Sequence, residues 1–240
     1  MKLSDIALDD YIKLLVYGDS GTGKTVLAAG FPTPIRYWDF DHKISSAVKF
    51  YGKEDPRLSQ IDVTQFAAFS RETRIKEFQK QLNEITSLAN AKKPLPFKTL
   101  VLDSLTTFVQ YVLDDYIYVS QTGIKRAVVG INALQDYQLL EKHLIQTITA
   151  ILSLDCNVVC LGHMQIEKDE ATGQMIRRPL MSGKFADKLP IYFEEVYVSK
   201  IGSKGEFLLQ TQPDSTYTRV RSQRKLPKEI SSKFENIIKI

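Results

Sequence analysis

The residues best suited to chemistry in this sequence form a glycine-rich run that ends in a lysine and a threonine. Gly18, Gly23, Lys24 and Thr25 have the spacing G-x-x-x-x-G-K-[ST], which is typical of a loop that binds phosphate. In such a loop, backbone N–H groups surround the phosphates, the lysine reaches the β- and γ-phosphates, and the threonine hydroxyl holds Mg²⁺. We therefore predict ATP and Mg²⁺ as ligands. The nucleotide is expected to contact Gly18, Asp19, Ser20, Gly21, Thr22, Gly23, Lys24, Thr25 and Val26.

The residues on either side of this run favour the same interpretation. Residues 12–17 are mostly apolar, as expected of a buried parallel strand. Val26 begins a helical run, and Gly30 and Pro32 are placed to end it. A strand, a glycine-rich turn and a helix N-terminus in this order create a point where an anion is favoured. The order predicts a nucleotide site rather than a chance match to the pattern.

Acidic residues follow two other apolar runs. Asp103 is predicted to end a strand beside the phosphate-loop strand and to complete the Mg²⁺ site with Thr25. Asp39 and Asp41 leave another predicted strand, also expected next to the phosphate loop. A carboxylate there could orient or deprotonate the water that attacks the γ-phosphate. Residues two apart in a strand point to the same face, so the pattern alone does not show whether Asp39 or Asp41 has this role.

Polar and basic residues elsewhere suggest how the state of the bound nucleotide could affect distant loops. His163 and Gln165 follow the apolar run that ends at Leu161, where they could sense the γ-phosphate. Residues 167–184 show no periodicity, as is common in functional loops, and residues 120–130 form a second break. The basic residues of these two segments are predicted to contact the phosphates of single-stranded DNA; they are Lys125, Arg126, Arg177, Arg178 and Lys184.

The elements needed to position these residues can be read from periodicity. Strands and helices alternate up to Leu161, and they include amphipathic helices at 105–119 and 134–152. Residues 195–201 and 206–211 are predicted to pair as a hairpin, 217–225 to add an edge strand, and 227–238 to form a closing helix. We predict a three-layer α/β/α sandwich with a mainly parallel central sheet and an antiparallel hairpin toward its end.

The bulk properties limit the class of protein. A chain of 240 residues that is 43% hydrophobic suits a single α/β domain spanning 1–240. The N-terminus lacks the apolar core of a signal peptide, and no apolar run is long enough to span a membrane. Cys156 and Cys160 lie too far apart in one predicted strand to form a disulfide, as in a reducing compartment. We expect a cytoplasmic protein, and the net charge of +4 permits a nucleic-acid partner.

Taken together, these motifs resemble the core of RecA-type recombinases, and in particular the compact Sak-type single-strand-annealing ATPases of phages. The resemblance rests on GDSGTGKT at 18–25, on LVLDS at 100–104, and on WDFDH at 38–42, and it covers about residues 13–227. In the RecA segment that resembles 38–42, a catalytic Glu precedes a His, so the resemblance assigns catalysis to Asp41 rather than Asp39. The shorter Asp side chain implies slow hydrolysis.

The resemblance also implies roles outside the phosphate loop. His163, with Gln165 nearby, takes the place of an Asn-Gln pair, and the segments 120–130 and 167–184 resemble the two DNA-contacting loops. RecA relatives present basic residues to the next subunit's nucleotide at the place of Arg219, Arg221 and Arg224. Arg221 or Arg224 is therefore expected to act in a neighbouring subunit of a homo-oligomer.

The sequence thus predicts an ATP-dependent, single-strand DNA-binding and annealing protein of phage recombination. One alternative is a nucleotide or small-molecule kinase, for which Arg177 and Arg178 would belong to a lid. The other is a nucleotide-gated assembly protein that hydrolyses little ATP, an alternative that the Asp at position 41 keeps open. A kinase would ignore DNA, whereas a gated binder would change affinity without turnover.

Overall fold

A central sheet of eight strands organises this computed structural model, which describes residues 11–117, 134–168, 170, 173–181 and 185–238. A separate two-stranded hairpin is formed by β6 and β7. The strands are β1 Lys13–Gly18, β2 Ile35–Asp39, β3 Ile61–Gln65, β4 Thr99–Asp103, β5 Asn157–Gly162, β6 Met164–Lys168, β7 Met175–Pro179, β8 Glu195–Ile201, β9 Phe207–Gln210 and β10 Glu229–Ser231.

The order of the sheet is β10-β9-β8-β1-β5-β4-β2-β3. The six strands from β8 to β3 run parallel, and β9 and β10 are antiparallel to their neighbours. Because parallel strands end at one edge, the residues that follow β1, β2, β4 and β5 meet there. The predicted parallel sheet and its late antiparallel hairpin are confirmed.

Helices cover both faces of the sheet. They are α1 Lys24–Ala29, α2 Ser45–Tyr51, α3 Arg74–Asn90, α4 Leu105–Tyr111, α5 Leu134–Leu152, α6 Phe185–Lys188 and α7 Phe234–Ile237. Short 3₁₀ turns at Leu58–Gln60, Phe66–Ala68 and Leu189–Tyr192 join some of these elements, and α4 continues as a π-helical segment, Val112–Ile117. The predicted bounds of α5 are confirmed. The predicted helix from residue 105 is α-helical only to Tyr111 and is π-helical from Val112.

Two apolar clusters form the core, one on each face of the sheet. In the larger cluster, α3, α4 and α5 contribute buried residues such as Phe78, Phe108 and Leu144. In the other cluster, Leu27 from α1 and Ile237 from α7 are fully buried against the strands. Each buried side chain of this size stabilises the fold by about 1.5–3 kcal/mol. The three layers predicted from the alternation of strands and helices are therefore present.

The predicted neighbours of the phosphate-loop strand were wrong. β1 pairs with β5 and β8, so β5 separates it from β4, and β2 lies one strand further away. In a parallel sheet, each crossover connection can pass over positions that later strands fill. Asp103 and Asp41 nevertheless reach the phosphate loop, because they leave the same edge of the sheet.

Several predictions for the second half of the chain also need correction. Residues 167–184 are not aperiodic throughout, because β6 and β7 pair in register from Met164↔Pro179 to Lys168↔Met175. Residues 217–225 make an isolated bridge at Arg221 instead of an edge strand. The predicted helix 227–238 is divided into β10 and α7, because Ile230 pairs with Leu209 of β9. The apolar residues that suggested one helix belong to these two short elements.

Two further expectations concern compartment and membrane. Cys156 and Cys160 are both buried in the larger cluster, and their thiols are not bonded to each other. Among the described residues, no helix is both long enough and apolar enough to cross a bilayer.

Candidate functional site

The phosphate loop joins β1 to α1 in the conformation that its glycines permit. Gly21 and Gly23 have φ values of 80° and 84°, which L side chains rarely adopt. A Cβ on Gly23 would lie 2.5 Å from the ring of Phe207, and one on Gly18 would lie 2.4 Å from the carbonyl oxygen of Ser199. Glycine is therefore required here both by the backbone conformation and by the close approach of β8 and β9.

Lys24 lies inside this loop. Its Nζ donates hydrogen bonds to the carbonyl oxygens of Gly18 at 2.9 Å and Asp19 at 2.7 Å, and the residue is buried. Burial lowers the pKa of Lys24, although the nearby carboxylate of Asp103 opposes that effect. The ammonium group is thus held where a phosphate-loop lysine would meet the β- and γ-phosphates.

Thr25 and Asp103, which are predicted to bind Mg²⁺, lie side by side. The Thr25 hydroxyl donates to Asp103 Oδ2 at 2.8 Å, and the Tyr37 hydroxyl donates to the same oxygen at 2.6 Å. Burial raises the pKa of Asp103 to about 6, even though both hydrogen bonds lower it. Hard oxygen donors side by side at the phosphate loop fit Mg²⁺, which usually takes one or two protein ligands and completes its shell with phosphates and water. When bound, Mg²⁺ would neutralise charge on the β- and γ-phosphates.

Asp41 stands at the centre of a hydrogen-bond network. Ser104 Oγ donates to Asp41 Oδ1 at 2.9 Å, Thr107 Oγ1 donates to the same oxygen, and His163 Nε2 lies 2.8 Å from Oδ2. Burial would raise the pKa of Asp41, but the hydrogen bonds from His163, Thr107 and Ser104 outweigh burial and lower it to about 2. The side chain is therefore a carboxylate at neutral pH and a weak base.

Asp39 has a different environment from Asp41. It is fully buried, and its carboxylate accepts the backbone N–H groups of Lys43 at 3.2 Å and Ile44 at 3.3 Å. These bonds fix the loop that follows β2. Asp39 holds this loop in place, whereas Asp41 faces the phosphate-loop side.

One cleft of about 760 Å³ lies beside the phosphate loop. The cleft is bordered by five residues that were predicted from different parts of the chain: Lys24, Thr25, Asp41, Asp103 and His163. The sequence interpretation missed several other residues of the cleft and its support: Tyr37, Lys43, Phe50, Ser104, Thr107 and Phe207. The signal for Ser104 was available, because Ser is a preferred helix N-cap and this one accepts the N–H of Thr107 at 3.3 Å.

Two of the late arginines, Arg221 and Arg224, lie at the other end of the sheet from the phosphate loop. Glu195, which begins β8, is paired with Leu14, whereas the phosphate loop follows the opposite end of β1. Arg224 Nε lies 3.7 Å from Glu195, and Arg219 Nη2 lies 3.1 Å from Asp187. Arg221 donates to the carbonyl oxygens of Pro190, Ile191 and Phe193. Each of these guanidinium groups thus has partners within its own chain.

The predicted DNA-contacting and lid arginines lie on the β6–β7 hairpin rather than in a loop. Arg178 pairs with Asp187 at 2.9 Å and also with Glu167. Arg177 donates to the Tyr217 hydroxyl at 2.8 Å. Both arginines therefore have partners within the chain. This arrangement does not favour a kinase lid, in which they would have to bind nucleotides. Lys125, Arg126 and Lys184 lie outside the described residues.

The fold and the cleft define a P-loop domain built on a mainly parallel sheet. A family profile described as AAA domain (AAA_24) matches residues 10–221, and the chain belongs to this family. No curated protein sequence matches it significantly.

Two solved structures are similar to the chain at low identity. The RadB recombinase is 13% identical, with a TM-score of 0.46, over 82% of this chain and 79% of that chain. The KaiC-like protein PH0186 from the hyperthermophilic archaeon Pyrococcus horikoshii OT3 is 13% identical, with a TM-score of 0.45, over 88% of this chain and 82% of that chain. At this level of similarity, neither structure indicates what the chain binds.

Proposed function

We propose that the chain binds ATP with Mg²⁺ in this cleft, hydrolyses it slowly, and couples the nucleotide to single-stranded DNA. The observation that carries the proposal is the convergence of Lys24, Thr25, Asp103 and Asp41 on one cleft. These residues supply a phosphate-binding cation, two metal-binding oxygens and a carboxylate for the attacking water.

Hydrolysis would proceed by attack of water on the γ-phosphorus. The bond from that phosphorus to the β–γ bridging oxygen breaks, ADP leaves with the bonding electrons, and the water's proton passes to the released phosphate. Asp41 orients the water through a hydrogen bond. Its pKa of about 2 makes it a poor proton acceptor, so we assign it an orienting role and expect a low turnover number.

The same network supports a second candidate function, a nucleotide-gated assembly protein with little hydrolysis. Asp41 already accepts hydrogen bonds from Ser104 and Thr107 and lies beside His163. A carboxylate with this many partners has little capacity left to hold a water molecule. This candidate predicts ATP-dependent binding of partners without measurable turnover.

The β6–β7 hairpin is the proposed DNA-coupling element, because its two ends are tied to the cleft. Thr106 Oγ1 accepts the N–H of His163 at 3.0 Å and donates to the carbonyl oxygen of Leu180 at 3.0 Å. Thr106 precedes Thr107, which contacts Asp41. A change at Asp41 or His163 would therefore reach both ends of the hairpin through bonded neighbours.

Adding single-stranded DNA tests the proposed function. We expect ATP turnover to rise with an oligothymidine, and affinity for that strand to fall steeply with salt. Replacing Lys168 and Arg177 of the hairpin by Gln should reduce the salt slope by about 1–2, since each lost phosphate contact removes about 0.7 on single strands. Fluorescence anisotropy of a labelled strand measures this slope.

Lys233→Gln is the matched control, because Lys233 is an exposed lysine outside the hairpin. An unchanged slope in the hairpin double variant would remove the hairpin from the DNA site. If neither ATP turnover nor ATP affinity changed when DNA was added, the proposed coupling to single strands would be contradicted. DNA affinity that depends on ATP without turnover would support the gated candidate.

A wall for the nucleobase is formed by two phenylalanines. Phe50 is 58% exposed, its ring centroid lies 5.9 Å from that of Phe207, and both residues line the cleft. Base–aromatic stacking is worth about 1–3 kcal/mol. We expect Phe50→Ala to weaken ATP binding about tenfold and to leave inorganic tripolyphosphate binding unchanged, as measured by calorimetry.

Ile191→Ala is the control for this prediction, because Ile191 is an exposed apolar residue at 68% that does not line the cleft. Phe50→Trp should retain ATP binding. An equal loss of affinity for ATP and tripolyphosphate in Phe50→Ala would place the base elsewhere.

We also propose that the protein is a homo-oligomer that anneals single strands in phage recombination. The position of Arg221 and Arg224 at the opposite end of the sheet means that they could reach only a neighbouring subunit's nucleotide. For Arg221, that role would require the loss of its hydrogen bonds to Pro190, Ile191 and Phe193.

A further inference from the structure

Lys43 brings a second ammonium group to the nucleotide cleft. Its Nζ lies 3.8 Å from Asp41 Oδ2, and its side chain is 56% exposed. The residue borders the same cleft as Lys24, Thr25 and Asp103. The contact with Asp41 is long for an ion pair, and its lysine is exposed although the side chain of Asp41 is only 5% exposed, so Lys43 can exchange this partner for another anion at low cost.

The backbone at Lys43 is fixed while its side chain is not. The N–H of Lys43 donates to Asp39 Oδ1 at 3.2 Å, and Asp39 is fully buried. The next N–H, that of Ile44, donates to Asp39 Oδ2 at 3.3 Å. Lys43 is therefore a flexible, charged side chain on a rigid base, which suits a residue that must follow a phosphate group.

Lys43 is also close enough to the phosphate loop to influence its lysine. Burial lowers the pKa of Lys24, and the positive charge of Lys43 acts in the same direction. Two ammonium groups that repel each other across a cleft create a site for an anion with several charges. The arginines considered above for this purpose lie at the other end of the sheet.

We propose that Lys43 binds the γ-phosphate of ATP from within the same subunit, exchanging its contact with Asp41 for a contact with that phosphate. This inference rests on the proposed function, and it adds the residue that distinguishes ATP from ADP. Nucleotide discrimination then belongs to each chain, whether or not a neighbouring subunit contributes an arginine.

The ratio of ADP to ATP dissociation constants tests this inference. By calorimetry with Mg²⁺ at low salt, Lys43→Gln should weaken ATP binding about tenfold and leave ADP binding unchanged, since a single charge-assisted phosphate contact is lost. Lys43→Arg should retain most of the wild-type ratio. Lys53→Gln is the matched control, because Lys53 is an exposed lysine that does not line the cleft.

A double variant separates a direct contact from an effect through Asp41. In the Asp41→Asn background, Lys43→Gln should still weaken ATP binding about tenfold if Lys43 contacts the phosphate. If Lys43 only neutralises Asp41, the substitution should have no effect in that background, and the inference is overturned.

The failure of this inference differs from the failure of the proposed function. A wild-type chain that binds neither nucleotide contradicts the nucleotide site itself. A wild-type chain that binds both nucleotides, with an unchanged ratio in Lys43→Gln, contradicts the role of Lys43 alone. Both measurements use the complete chain, and thermal melting of each variant checks that it is folded.

Discussion

Replacing Lys24 with alanine is expected to abolish ATP binding. The substitution removes the ammonium group that we propose reaches the β- and γ-phosphates, and nothing else in the loop replaces its charge. We expect an affinity loss of at least about 100-fold by calorimetry, since a charged hydrogen bond to phosphate contributes about 1.5–3 kcal/mol and Lys24 can make more than one.

The fold should survive this change. Lys24 contributes two hydrogen bonds to loop carbonyls, and their loss costs about 1–2 kcal/mol. For a chain of this size, the melting temperature would fall by only a few degrees. Lys53→Ala removes an exposed lysine that does not line the cleft and should retain ATP binding. ATP binding of wild-type strength in Lys24→Ala would show that the phosphate site lies elsewhere.

Asp41→Asn is expected to remove hydrolysis and to spare ATP binding. Turnover should fall about 100-fold or more, the usual contribution of a carboxylate that positions or deprotonates the reacting water. ATP affinity should change little, because in the proposed site Lys24, Thr25 and Asp103 hold the phosphates and the metal. Phosphate release and calorimetry, measured on the same preparation, provide the two numbers.

Asp39→Asn is the matched variant, with a different expected result. Asp39 fixes the backbone of Lys43 and Ile44, so its loss should lower the melting temperature. Turnover should fall less than in Asp41→Asn. If Asp39→Asn lost more turnover while keeping its stability, the catalytic role would belong to Asp39.

The phosphate loop could be predicted from sequence because its chemistry is contained in eight consecutive residues. Gly18, Gly23, Lys24 and Thr25 each have a local reason to be present, and the flanking strand and helix have strong periodicity. Asp103 could be predicted for the same reason, since it ends an apolar run. The mainly parallel sheet could be predicted from the alternation of strands and helices.

The environment of Asp41 could not be predicted in the same way. It depends on Ser104, Thr107 and His163, which lie 63, 66 and 122 residues away in the chain. Strand order decides such contacts, and no local pattern encodes the fact that β5 is inserted between β1 and β4. Arg221 illustrates the same limit, because its partners are carbonyl groups, which every residue possesses.

The order of the strands has a consequence for how the protein is made. β1 lies near the start of the chain, but both of its neighbours, β5 and β8, come after residue 156. During synthesis, the phosphate-loop strand therefore has no partner in its final position until β5, Asn157–Gly162, has been made. Contacts this distant in sequence slow folding. ATP can stabilise only the state that contains its site, so it would not protect a nascent chain that lacks β5 and β8.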